Sequence, residues 1–144
     1  MKTQPEIDAT FVAVIRDEDG VRTRAFVTVE AKQVDERILE HQIREQVSTA
    51  FETTALLTGE DAISLVIPIV IKLVKSVDQI DPTRRCIYIA QYRPITRNDF
   101  ETVFNRLPSE VPLSIQSSGL YKPHPPITGI SAKPKSRPGK KVKP

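Results

Sequence analysis

The segment Ala62–Val74 constrains the fold more than any other part of the chain. Ile63, Leu65, Ile67, Ile69, Ile71 and Leu73 alternate with a period of two, while Val66, Val70 and Val74 fill the opposite parity. A strand apolar at both parities needs cover on both of its faces. The same letters also fit a helix, because Ile63, Ile67, Val70, Val74 and Val77 fall along one side, with Glu60 and Asp61 suited to its N-terminus. The density of β-branched residues, and Pro68 in what would be the third turn, favour the strand. Pro68 then requires an edge position or a bulge. With Pro68 and Lys72 inside it, the run is too short to span a bilayer.

The flanking segments have clearer periods. Thr10–Arg16 and Val21–Ala31 alternate around Asp17-Glu18-Asp19-Gly20, which predicts a hairpin. From Val34 to about Ala55 the apolar residues Val34, Ile38, Leu39, Ile43, Val47, Ala50 and Phe51 recur at three- and four-residue steps, which predicts a helix. Asp81-Pro82 marks a turn, and Arg85–Tyr92 reads as a strand. A second helix is expected from about Arg97 to Arg106, capped by Thr96 or Asn98, with Phe100, Val103, Phe104 and Leu107 on its apolar side. Val111–Ile115 suits a short strand. Beyond Ser117 the Gly, Ser and Pro content favours extended backbone, with Pro123, Pro125 and Pro126 in polyproline conformation.

The expected fold class is therefore α+β: an antiparallel sheet with two helices on one face, in a ββαββα-like order. A circular permutation of the ferredoxin-like order gives the same succession. Residues 1–116 are expected to form the compact domain, and residues 117–144 a Pro-rich extended segment ending in a basic tail.

Charge separates the two parts. The last fourteen residues carry Lys133, Lys135, Arg137, Lys140, Lys141 and Lys143 and no acidic residue. The chain has 21 Lys and Arg against 18 Asp and Glu, so removing those six leaves 15 against 18 and a net −3 for residues 1–130. A segment of this composition buries no apolar surface and should stay extended and solvated. Its six cations suit nucleic acid or another polyanion.

Catalytic and metal chemistry find little footing. His41 and His124 are the only histidines and Cys86 the only cysteine, so no zinc-like ligand spacing exists and no internal disulfide can form. Glu60-Asp61 and the Asp78/Asp81 pair read as solvated loop-end acids. Ser64, Ser76 and Ser117-Ser118 lack a nearby histidine or oxyanion-loop signature. Gly20 and Gly59 stand alone, so no phosphate-cradling loop is expected. Cys86 reads as a packed residue and His41 as an exposed one. No cofactor and no metal are expected. Residues 1–9 are polar and charged, which predicts no signal peptide and an intracellular protein with no membrane partner.

Ile87-Tyr88-Ile89-Ala90-Gln91, followed by Pro94, Thr96, Asp99, Phe100 and Val103-Phe104, resembles the first strand and helix of an RNA-recognition motif. In that family an aromatic residue of this strand stacks on a base, a role the resemblance assigns to Tyr88. The companion Lys/Arg-Gly-aromatic-Gly-aromatic strand is absent, and only a permuted arrangement with Arg22, Arg24 and Phe26 on the neighbouring strand would replace it.

If the helices cover the Ile87/Ile89 face, then Arg22, Arg24, Phe26, Tyr88 and Tyr92 share the open one. Aromatic and arginine side chains suit base stacking and also protein interfaces. The doubly apolar 63–74 strand favours an interface, with Ile69 and Val70 as its central residues. The expected function is that of a non-enzymatic assembly component. It oligomerises or binds a protein partner through its sheet and contacts nucleic acid or another polyanion through its basic arm. The alternative is a single-domain RNA or single-stranded DNA binder using the Arg/aromatic face. A third class, an enzyme with a site shared between subunits, has the least support.

Overall fold

Asp17 makes the first turn. Its Oδ1 accepts hydrogen bonds from the amides of Asp19 at 2.9 Å and Val21 at 2.8 Å, while Gly20 takes a φ of +80°, where an L side chain would be strained. The strands that follow from this turn are β1 (Ala9–Arg16) and β2 (Arg22–Lys32), paired antiparallel as the alternation predicts. The structure is a computed structural model and describes residues 7–75 and 84–124.

Helix α1 (Glu40–Thr53) begins later than the apolar stripe suggested. The Glu36 carboxylate accepts from the Gln33 amide at 2.8 Å, and the Glu36 amide donates to Gln33 O. That closed turn holds Val34 and Asp35 out of the helix, and Leu39 is extended at φ −107°. Ile38 still packs on the core from the loop.

After α1 the chain enters β3 (Leu65–Lys75), which confirms the strand reading of the doubly apolar run. β3 lies parallel to β2, with Phe26 opposite Val66 and Glu30 opposite Val70. The sheet is therefore mixed and not antiparallel throughout. The reason is the position of α1: a helix between two neighbouring strands returns the chain to its starting end, so the second strand repeats the direction of the first. No strand is inserted between β2 and β3, so the permuted ferredoxin-like arrangement with its split unit is not the one seen.

β4 (Arg85–Tyr92) pairs antiparallel with β3 from Ile69 onward, and the two-residue β5 (Ile95–Thr96) pairs with Leu65 and Val66. Pro68 falls in the gap between these two partners, where no ladder donor is needed on that side. The Asp81-Pro82 turn lies outside the described residues.

Helix α2 (Arg97–Thr102) starts where expected, with Thr96 Oγ1 accepting from the Asp99 amide at 3.0 Å. It stops early because Asn105 and Arg106 adopt left-handed backbone at φ 50° and 60°. Phe100 is buried, while Val103 and Leu107 point to solvent. A 3-10 turn at Pro108–Glu110 brings Val111 under α1, where Arg44 Nε donates to its carbonyl at 2.7 Å. The last strand, β6 (Ile115–Tyr121), starts where the short strand was expected to end and runs past residue 116, pairing with β4. The sheet order is β1-β2-β3-β4-β6, with β5 beside β3.

Both core clusters lie between the sheet and the helices. One joins Val47, Ala50 and Phe51 to Val66, Ile95, Phe100 and Val111, and the other joins Ile43 to Val70 and Tyr92.

Candidate interaction surface

Strand parity and ladder register divide the sheet into two faces. The even-numbered face carries Phe26, Thr28 and Glu30 of β2, Val66, Pro68 and Val70 of β3, and Cys86, Tyr88, Ala90 and Tyr92 of β4. The helices pack on this side. Val70 is fully buried against Ile43, Tyr92 is buried beside it, and Phe26 packs on the Phe51/Phe100 cluster.

This reverses the expected assignment. Arg22, Arg24, Phe26, Tyr88 and Tyr92 share one face, as predicted, but it is the helix-covered face. Val70, Tyr92 and Phe26 are core residues. Tyr88 is half-buried on the same side, with Lys72 and Leu120 as its ladder neighbours. It is therefore not displayed on an open sheet, as the resemblance to an RNA-recognition motif required. Of the seven residues expected at an interface, Ile69 alone lies on the open face.

That open, odd-numbered face is largely aliphatic. β1 contributes Phe11, Ala13 and Ile15, and β2 contributes Ala25, Val27, Val29 and Ala31. β3 adds Leu65, Ile67, Ile69, Ile71 and Leu73, and β4 adds Ile87, Ile89 and, opposite Ile69, the uncharged Gln91. β6 closes the row with Ser117, Gly119 and Tyr121, where a Cβ on Gly119 would come within 2.9 Å of the Tyr121 hydroxyl. No charged side chain interrupts the patch. Lys75 and Arg85, opposite each other, mark one end. Neither core cluster includes an odd-numbered residue of β2, β3 or β4. Ala25, Val29 and Ile67 are buried, whereas Ile69, Ile71, Leu73, Ile87 and Ile89 are only half-buried.

Arg22 and Arg24 lie on the even face beyond the end of α1. With Val14, Gly59 and Glu60 they line an open cleft of about 330 Å³. Arg24 approaches Asp61 at 3.9 Å, and Glu60 adds a second carboxylate, so the cleft is of mixed sign and is poorly suited to a phosphate.

The other polar groups are structural. Glu30, Lys32, Gln42 and Gln46 form a buried network beneath α1: Lys32 Nζ is 3.0 Å from Glu30 Oε1 and 3.2 Å from Gln42 Oε1, and Gln46 Nε2 donates to Glu30 Oε2. Burial raises the Tyr92 phenol above its ordinary value of 10.0, helped by the nearby Glu40 and Tyr88 and opposed by Arg44. Cys86 is buried, as expected. Among the described residues no cluster of His, Cys, Asp and Glu could hold a metal ion, and no helix is long and apolar enough to cross a membrane. The six cations of the arm lie outside the described residues.

The residue that sequence reasoning missed is Arg97. Its guanidinium donates to Ile63 O at 2.8 Å, Phe51 O at 3.0 Å and Thr54 Oγ1 at 2.7 Å, and it stacks over the Phe51 ring at 5.0 Å. It ties the end of α1 to the start of β3. Comparison of the chain with protein-family models, curated proteins and solved structures finds no match.

Proposed function

We propose that this chain is a non-enzymatic assembly component whose odd-numbered sheet face packs against the same face of a second copy. The observation that carries the reading is an aliphatic sheet surface, free of charge across its strands, with no element of the described chain on it. Contiguous exposed apolar patches of this extent mark interaction sites. The segments 1–6, 76–83 and 125–144 are rich in Pro and Lys and hold seven apolar residues among 34.

A second copy fits for two reasons. The face presents few donors or acceptors and no charges between its ends, so its complement need only be apolar, and an identical face meets that requirement through a two-fold axis. Two sheets stacked about 10 Å apart is a standard packing. The size also suits. Strands about 4.8 Å apart and about seven residues long give a footprint on the order of 550 Å² in projection. Side-chain relief brings this toward the ~800 Å² of accessible surface per partner found in stable complexes. The composition of the arm supports a second role, contact with nucleic acid through Lys133, Lys135, Arg137, Lys140, Lys141 and Lys143. The nucleic-acid reading of the body loses support, because the open face bears no cation between its ends.

Ile69→Lys places a charge at the centre of the face. Light scattering at tens of micromolar should give a multimeric wild type and a variant of at most half that mass, folded to the same extent by circular dichroism. A monomeric wild type would overturn the reading.

A further inference from the structure

Among the described residues strand β1 is an edge of the sheet, and none of them covers it. From Ala9 to Ile15 it holds no charge, no proline and no bulge, the devices by which edges normally resist pairing. It is exposed on both faces, with Phe11 at 60% and Ile15 at 39% on the odd side, and Val12 and Val14 at 55% on the even side. The opposite edge, β6, is different: its centre is Ser117-Ser118-Gly119, and an irregularity interrupts its ladder.

The hairpin turn fixes which backbone groups of β1 are free. The Asp17 amide donates to Val21 O at 3.0 Å, so the 17/21 pair is a hydrogen-bonded one. Such pairs alternate along an antiparallel ladder. The 15/23, 13/25 and 11/27 pairs therefore face each other with their backbone groups. Thr10, Val12, Val14 and Arg16 turn their N–H and C=O groups outward, away from β2.

We infer that β1 adds antiparallel to β1 of a second copy, in the register that places Val12 opposite Val12. In that register the outward groups of Val12 exchange both hydrogen bonds across the two-fold axis. Thr10 stands opposite Val14, and Asp8, a bend residue just before the strand whose Oδ2 also accepts from the Ala31 amide at 2.7 Å, falls beside Arg16 at both ends of the ladder. On the odd face Phe11 meets Ala13 and Ile15 meets Ala9, large against small.

The neighbouring registers are worse. A two-fold at Ala13 opposes Asp8 to Glu18 and crowds Phe11 against Ile15. A two-fold at Phe11 carries Arg16 past the start of the other strand at Ala9 and leaves Asp8 opposite Val14. Opposite charges directly across a ladder stabilise it, and like charges there destabilise it, so charge and volume select the same register.

This contact is independent of the face-to-face packing and uses different atoms. A chain with both two-fold contacts closes into a tetramer where the axes meet at right angles, and extends as a filament otherwise.

The test uses the full chain with Val12→Lys and Val12→Asp. Residue 12 is exposed and its N–H points away from β2, so both variants should retain wild-type circular dichroism and a cooperative melt, lowered only by the loss of the contact with the other copy. Each puts like charges opposite each other at the axis, so light scattering should show the mass reduced at least twofold from wild type. An equimolar mixture of the two variants should recover the wild-type mass, because the introduced ammonium of one chain then meets the introduced carboxylate of the other. An unchanged mass in the single variants overturns the inference. So does a reduced mass that the mixture fails to restore, because residue 12 would then not face its own copy. Ile69→Lys, measured in parallel, reports on the sheet face separately, and either contact can fail without the other.

Discussion

Arg97 shows how much a single side chain can hold. Its three hydrogen bonds satisfy two backbone carbonyls and the Thr54 hydroxyl, which in turn donates to Ala50 O at 2.7 Å. Arg97→Ala removes donors from part-buried acceptors and exposes the Phe51 ring. The expected cost is about 2–4 kcal/mol in urea unfolding, with the mass of the folded protein unchanged. Arg97→Lys should recover only a fraction, because an ammonium cannot serve three diverging acceptors in one plane. Tyr92 gives a second residue-scale expectation. A phenol whose folded pKa lies above its unfolded value keeps its proton longer in the native state. Stability is then complete below about pH 10 and falls as pH rises beyond it. Tyr92→Phe should flatten that alkaline loss relative to wild type in melts between about pH 9 and 11.5. Arg97 was not legible as structural, because its partners are 34 to 46 positions away; Tyr92 was legible as a half-buried strand residue, but not the face it occupies.

At the scale of elements, period and turn chemistry carried the hairpin, β3 and β4, because each is set by local alternation and by residues such as Asp17 and Gly20. The assignment of faces was not carried. Both parities of β3 are apolar, so alternation alone cannot say which one the helices cover. The start of α1 was misjudged because the Gln33–Glu36 turn competes with the helix for the same residues. β6 was hidden because Ser117-Ser118-Gly119 has poor strand propensity, and pairing with β4 outweighs it. Two adjacent residues test the face assignment. Val70→Lys buries a charge against Ile43 and Tyr92 and should abolish cooperative folding or lower the melting temperature by well over 10 °C. Ile69→Lys, one position away, should leave the fold intact and remove the face-to-face contact alone. Equal effects of the two on melting would show that the faces are not so divided.

For the whole molecule, the division between an acidic body and a basic arm predicts that the proposed polyanion binding is separable from the fold. Six cations can touch about six phosphates at most, so the logarithm of affinity against the logarithm of salt should have a slope no steeper than about −5 on a duplex. Removing residues 131–144 should eliminate most of that binding and leave the melting transition unchanged, since a Lys/Pro segment contributes no core. A salt titration of fluorescent DNA or RNA with full-length and shortened protein measures both. Equal affinities would assign polyanion binding elsewhere.

The bare aliphatic face also bears on what stability means for this chain. Where folding completes its burial only in company, the free energy of the native state includes a mass-action contribution from the other copy. The melting temperature then rises with the logarithm of protein concentration, and dilution alone acts as a denaturant. Expression level then enters the folding equation: scarce chains would be the fragile ones, and Ile69→Lys should lose the part of this concentration dependence that the sheet face carries.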